Sequence, residues 1–341
     1  MEHSVNKKAL ILGITGQDSS YLAELLLDKG YEVHGLIRRT AQPNTQNIRH
    51  LLYNEEIFNK SFFLHDGDLM DTGSLFRIIN EVQPDEIYNL GAMAGVGPSF
   101  KQSDYAIETN GVVTNRILEI VKLVNPKIKF FQAGSSHIFG DTKETPQTED
   151  TKYQPISPYA LGKALAVNTV RYYREVHGLF ACSGIFYAHV SPRYSESFLL
   201  GKIIHSIWRI QKGEQSFMEL GNLDIPSEYG YAKDFMEATW QMMQLDKPDD
   251  FIISTGELHT PREFIELAFK EANLDQNKYI RINEDLKRPS EVGILSGDYS
   301  KANKAFGYMP KTKFEDLVKI VIRSDQEQFH NSKSVKPTHH I

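Results

Sequence analysis

The chain has 341 residues, 40% of them hydrophobic and 24% charged, and a formal net charge of -6. That length supports one large or two moderate packed cores, and the acidic balance leaves no basic surface of the kind a nucleic-acid backbone requires, so nucleic acid is not an expected partner. The N-terminal stretch M-E-H-S-V-N-K-K lacks a signal-peptide apolar core and no apolar run approaches the ~20 residues of a membrane span, so a soluble, cytoplasmic protein without a membrane partner is expected.

Ala9-Leu-Ile-Leu12 is a short continuous apolar run, as in a strand buried on both faces. It leads into Gly13-Ile-Thr15-Gly16-Gln17-Asp18-Ser19 and then into a helical pattern from Tyr21 that closes on Gly30. Strand, glycine turn and helix in that order form a dinucleotide-binding signature. Gly13 permits the tight turn, and Gly16 lets the backbone approach a pyrophosphate at the helix N-terminus. Ser19 stands where the third glycine is usual and is small enough to keep helix and strand close. The next strand, Glu32–Ile37, ends in Arg38-Arg39, where an NAD site usually carries an acidic residue for the ribose 2′-hydroxyl. Two arginines there suit a 2′-phosphate, so NADP is favoured over NAD, with an exposed basic pair as the plain alternative.

Strand 61–65 precedes Gly67-Asp68-Leu69, placed to hold an adenine edge. Strand 86–90 opens into Gly91-Ala92-Met93-Ala-Gly95-Val-Gly97, a small-residue loop against which a cofactor can lie, with Leu90 and Ala92 at its start. Helices at about 73–82 and 108–124 alternate with the strands, which predicts a Rossmann-type, doubly wound parallel sheet with its ligands outside the strand C-termini. Strand 129–133 delivers Ser135 to that edge. Tyr159 and Lys163 lie four apart on the helix that follows, one above the other on the same face, so phenol and ammonium can reach one small ligand. A cation near the phenol favours its ionised form, which brings it into use as an acid or base nearer neutrality. The single cysteine, Cys182, sits in an apolar run and reads as packing, and no pair of histidines or cysteines has metal-ligand spacing apart from His339-His340, so no metal is expected.

The segments G-I-T-G-Q-D-S-S-Y-L-A-E (13–24), R-R (38–39), Q-P-D-E-I-Y-N-L-G-A (83–92), S-P-Y-A-L-G-K (157–163), S-P-R (191–193), A-K-D (232–234) and R-P-S-E-V (288–292) resemble, in register, the extended short-chain dehydrogenases/reductases of the GDP-mannose 4,6-dehydratase family. The likeness runs from about residue 7 to about residue 325. It implies a nucleotide-sugar substrate, GDP-sugar favoured, and tightly held NADP. It also implies oxidation at sugar C4, loss of water across C5 and C6, and return of the hydride to C6. By position it makes Tyr159 the residue that takes the C4 hydroxyl proton, with Lys163 tuning it and Ser135 sharing the substrate oxygen. It places Ser99, Arg193, Lys202, Arg288 and Glu291 near the substrate and His189 near the cofactor. The loop Thr40–Leu51 resembles one that reaches a neighbouring subunit's cofactor, which implies a homodimer or homotetramer.

The departures cluster on the substrate side. His137 replaces the carboxylate that removes the C5 proton; imidazole is still a usable base. Met93-Ala-Gly95 replaces Gln-Ser-His, Ala188 and Val190 flank His189 in place of Asn and Glu, and Ser227 replaces an arginine. A sugar epimerase or C4 oxidoreductase that does not dehydrate, and a non-catalytic paralogue, therefore stand as alternatives. The expected organisation is a Rossmann domain over residues 1–186, to which 232–255 returns, a smaller discontinuous α/β substrate lobe from 187–231 and 256–328, and a flexible tail over 329–341.

Overall fold

The structure is a computed structural model that describes residues 6–42, 44–283 and 293–324. Six strands, β1 (Lys8–Leu12), β2 (Glu32–Ile37), β3 (Phe62–Asp66), β4 (Glu86–Asn89), β5 (Lys129–Ala133) and β6 (Ala181–Phe186), join strand Asp250–Ile253 in one seven-stranded sheet. Every neighbouring pair is parallel, and β1 lies between β2 and β4, so the chain winds outward in both directions from β1. The crevice where that order reverses is where such sheets take their ligands.

Alternate residues of each strand feed opposite faces. Ala9, Ile11, Val33, Tyr88, Phe131 and Cys182 pack with helix α1 (Gln17–Asp28) and helix Ala232–Met243. Leu10, Leu12, Leu36, Ile87, Phe130 and Ala181 pack with helices Thr72–Val82, Val113–Val124 and Pro158–His177. Burial on both faces is why the strands read as continuous apolar runs. Cys182 is buried and free, with its thiol pushed up by burial, as a packing residue should be.

The chain divides into two compact units. The sheet unit runs up to His189, takes in Ser227–Leu258 and includes the segment that ends at Lys311. That last segment differs from the expectation that the smaller lobe holds 256–328 without interruption. Its attachment has a physical cause in buried polar contacts: the Gly297 N–H donates to Glu228 at 2.7 Å, Ser254 donates to the Gly297 carbonyl, and Tyr308 donates to the Ser254 carbonyl. Glu228 also accepts from the Thr255 and Gly256 amides, so a fully buried carboxylate is satisfied by backbone. The second unit contains Val190–Pro226, the stretch from His259, and the chain from Thr312. There helices Leu199–Gln211, Pro261–Glu271 and Phe314–Arg323 pack together, and strands Met218–Leu220 and Ile280–Ile282 pair in parallel. Thr260 and Glu263 close a reciprocal capping box, as the sequence pattern predicts. The tail expected over 329–341 lies outside the described residues.

Candidate active site

The turn after β1 is built for close approach. Gly13 adopts φ +83°, and a Cβ there would stand 2.6 Å from the Gly91 Cα. Glycine at both positions lets the β1 turn and the β4 loop nearly touch at the reversal of strand order. Gly16 begins α1 without any side chain capping it, and its amide returns to the Gly13 carbonyl at 3.1 Å. An uncapped helix start with an exposed glycine presents backbone N–H groups and the positive end of the helix dipole, which fits a dinucleotide pyrophosphate. Ser19 is buried in α1, so a small side chain at that position is accommodated against the strand.

The remaining residues expected to meet a cofactor are spread around this turn. Arg38 and Arg39 follow β2 and are exposed. The Asp68 carboxylate accepts from the Met70 amide at 2.9 Å and so shapes its own turn, while Leu69 closes over Gly91. Leu90 donates its amide to Leu12 and sits partly buried beside the core; Ala92 is half-buried in the loop beyond. The Thr15 carbonyl accepts from Asn47 at 3.1 Å. That contact bears on the loop Thr40–Leu51. Its later part folds back on its own chain, with Ile48 and Leu51 buried and His50 meeting Glu24 at 2.7 Å, whereas Thr40, Ala41, Gln42 and Asn44 are exposed.

The candidate reacting residues lie beyond β5. Ser135 is the N-cap of a short turn, Ser136–Phe139, and its hydroxyl accepts from the His137 amide at 3.3 Å. Gly140 ends the turn at φ +58°, where a Cβ would collide with the Gln154 carbonyl. The serine cap and the glycine exit therefore fix where His137 stands. Helix Pro158–His177 starts with Ser157 as N-cap and Pro158 at its first turn, and carries Tyr159 and Lys163 inward. The His137 ring meets the Tyr159 ring edge-on at 6.0 Å and 82°. Ser135, His137, Tyr159 and Lys163 thus converge at the C-terminal end of β5, as the sequence reading expects.

Burial raises the Tyr159 pKa, and the hydrogen bond from Ser135 lowers it. Lys163 is 3% exposed and donates to the Ala133 carbonyl at 2.8 Å; burial lowers it to about 8, with the Asp18 charge opposing. The Lys163 ammonium also lies 6.0 Å from the centre of the Tyr159 ring, so serine and lysine both stand beside the phenol. Asp18 meets His189 at 3.0 Å and connects the glycine turn to this group.

Several residues that serve the site escape sequence reading. The π-helical turn Glu108–Val112 sits between helices Ser103–Ile107 and Val113–Val124. Its Asn110 accepts from the Met93 amide at 2.8 Å and donates to the Met93 carbonyl at 3.1 Å, which pins the loop after β4. Next to it, a Cβ on Gly111 would stand 2.9 Å from the Gly162 carbonyl, so this turn lies flush against the Tyr159 helix. Gln132 donates to the same Ala133 carbonyl that holds Lys163, and its oxygen accepts from Asn89 and Thr114. The one clue in the sequence was Asn-Gly inside a helical pattern, which marks a local irregularity.

Of the residues expected near substrate, Ser99 is buried and donates to the Val96 carbonyl at 2.6 Å. Arg193 and Lys202 belong to the second unit, where Lys202 donates to the Glu219 carbonyl at 2.6 Å and the Arg193 amide donates to Ser191. Arg288 and Glu291 lie outside the described residues. Among the described residues no cluster of ligating side chains could hold a metal ion, and no helix is long and apolar enough to cross a membrane.

A parallel sheet with a glycine turn at its reversal point, and Ser, Tyr and Lys gathered at the adjacent strand end, is the arrangement of the extended short-chain dehydrogenase/reductase class. The GDP-mannose 4,6 dehydratase profile matches residues 10–321, and GDP-mannose 4,6 dehydratase 1 of Arabidopsis thaliana is 44% identical over 326 residues, covering 94% of this chain and 90% of the relative. The human GDP-mannose 4,6 dehydratase is 43% identical over 94% of this chain and 91% of its own length. The chain belongs to the GDP-mannose 4,6-dehydratase family. Its fold is also that of a UDP-glucose 4-epimerase from Thermotoga maritima solved with UDP-glucose, at TM-score 0.81 and 21% identity over 96% of this chain and 99% of the other. A dTDP-glucose 4,6-dehydratase from Streptomyces venezuelae with NAD bound matches at TM-score 0.81 and 21% identity, over 93% of this chain and 96% of that one.

Proposed function

We propose that this protein is a GDP-mannose 4,6-dehydratase, converting a GDP-hexose to its 4-keto-6-deoxy form. The observation that carries the reading is the convergence of Ser135, His137, Tyr159 and Lys163 at the end of β5, in a chain 44% identical to a GDP-mannose 4,6 dehydratase over nearly its whole length. A nicotinamide dinucleotide, when bound, supplies a hydride acceptor that later returns the hydride. The N-terminus of α1 holds its pyrophosphate, and Arg38 with Arg39 favours NADP over NAD through paired donors to a 2′-phosphate.

The protein's own work is proton handling. Tyr159 takes the C4 hydroxyl proton, with the Ser135 hydroxyl stabilising the phenolate. Lys163 balances that charge from the adjacent turn of the helix. His137, held edge-on to Tyr159 by a capped turn, removes the proton at C5, which the C4 carbonyl has made acidic; the C6 hydroxyl leaves as water with the proton held by Tyr159, forming the C5=C6 bond, and when the hydride returns to C6 His137 gives a solvent-exchanged proton back to C5. The curated relatives named as dehydratases favour elimination over epimerisation or simple C4 oxidation. Arg193, Lys202, Arg288 and Glu291 are proposed to hold the nucleotide diphosphate, Arg through its bidentate fork. A homodimer or homotetramer is part of the proposal, and helix Pro158–His177 supports it by exposing Leu161, Leu165, Tyr172 and Val176, which fall on one face at helical spacing.

The test is incubation of the purified protein with GDP-mannose in deuterated water, with the product read by NMR. A 4-keto-6-deoxy sugar with deuterium at C5 is expected. If neither this substrate nor other GDP-, UDP- or CDP-sugars reduces NADP in a single turnover, the reading fails.

A further inference from the structure

His189 faces two acceptors. Its Nδ1 lies 2.8 Å from the Tyr187 carbonyl oxygen and its Nε2 3.0 Å from a carboxylate oxygen of Asp18. A carbonyl and a carboxylate can only accept, so both ring nitrogens must carry hydrogen and the ring is an imidazolium. Its orientation is fixed by packing: Phe235 stacks on it at 4.6 Å and 28°, and Phe186 meets it edge-on at 5.5 Å. These two neighbours carry no charge, and Asp18 is the titratable group that faces the ring. Burial works against the charged ring, yet the Asp18 charge and the two hydrogen bonds lift its pKa above the usual value; the Asp18 carboxyl is correspondingly held low by His189, Gln17 and Lys163 despite its own burial.

Asp18 stands in the first turn of α1, directly after the glycine turn, and His189 stands just past the end of β6. The pair therefore ties together two parts of the sheet's ligand-binding edge that lie 171 residues apart in sequence. Sequence reading places Asp18 in the dinucleotide-binding turn and, by resemblance, His189 near the cofactor. We propose instead that they are a positioning pair, an ion pair that clamps the start of α1 to the chain leaving β6 and so keeps the pyrophosphate-binding turn in register with Lys163. One carboxylate then serves two cations, His189 through a hydrogen bond and Lys163 through the field. The proposal rests on the dinucleotide-binding reading above.

The experiment is a double-mutant cycle on NADPH affinity, measured by fluorescence on the full chain freed of dinucleotide, with Asp18→Asn, His189→Gln and the double variant. Removing a charge-assisted hydrogen bond weakens binding by ~10-fold in each single variant, and the double variant binds no worse than the weaker single one. Asp18→Glu, which keeps the charge, recovers part of the loss. If the unaltered protein does not bind NADPH, the dinucleotide reading falls. If it binds and the two losses multiply, or either single variant binds as the unaltered protein does, the positioning pair alone is overturned. A second measurement needs neither cofactor nor variant. Nitrogen-edited NMR of the dinucleotide-free protein at about pH 7, with the ring identified by its contacts to Phe235, must show two ring N–H groups on His189. A ring bearing one N–H overturns the proposal.

Discussion

Replacing Lys163 with methionine should abolish catalysis while making the dinucleotide-free protein more stable. The ammonium is 3% exposed, and burial lowers its pKa from 10.5 to about 8. A depressed lysine pKa means that the folded state binds the proton less well than the unfolded chain, so below the folded value the charge is a cost to folding. Every tenfold loss of proton affinity is worth about 1.4 kcal/mol, which puts the cost at pH 7 at about 3 kcal/mol. It falls to about 1 kcal/mol by pH 9.5, because the folded lysine has by then released its proton and the unfolded one has begun to. Lys163→Met retains the length of the buried stem and leaves the Ala133 carbonyl with its second donor, Gln132 at 3.1 Å. The assay is urea unfolding of both proteins, free of dinucleotide, at about pH 7 and about pH 9.5 and at equal protein concentration. The variant should unfold at higher urea at the lower pH, with the gap narrowing as pH rises. A variant less stable at pH 7, or a gap independent of pH, would refute the account of Lys163 as a charge buried at a stability cost for the sake of the site.

Other outcomes follow from the same geometry. His137→Gln should leave C4 oxidation measurable as single-turnover reduction of NADP, while deuterium incorporation at C5 falls by ~10²–10⁴-fold; unchanged incorporation would remove His137 as the base. Gly13→Ala forces a Cβ to within 2.6 Å of Gly91 at φ +83°, so NADPH binding should be lost and the protein destabilised by ~1–3 kcal/mol in thermal unfolding. Asp250 accepts from Arg171 at 2.7 Å and from Arg174 at 2.9 Å; despite burial, both arginines hold its pKa below the usual value. Its contribution is thus present above the unfolded carboxylate pKa and is lost as pH falls through the folded one. Asp250→Asn, which leaves two arginines facing a neutral group, should cost ~3–5 kcal/mol near neutrality and flatten the acid limb of the stability profile.

The sequence by itself determined the sheet and named the residues that the fold gathers at the end of β5. Doubly buried strands leave continuous apolar runs, and a strand, glycine turn and helix leave a local signature, because both depend on neighbours within a dozen residues. Ser135, Tyr159 and Lys163 were legible for the same reason: a strand end and an i, i+4 spacing fix where such side chains emerge. What only tertiary structure decided are the contacts between distant segments. The Ser135 contact that lowers the Tyr159 pKa, the carbonyl shared by Lys163 and Gln132, the return of residues 293–311 to the sheet through Glu228, and the Asp18–His189 pair each join stretches far apart in the chain. No periodicity records such pairings, because a buried polar group needs a partner but its sequence does not specify which one. Burial likewise shifts the proton affinities of Tyr159 and Lys163, and at His189 the Asp18 charge and the two hydrogen bonds outweigh it; both burial and such partners are properties of the assembled fold.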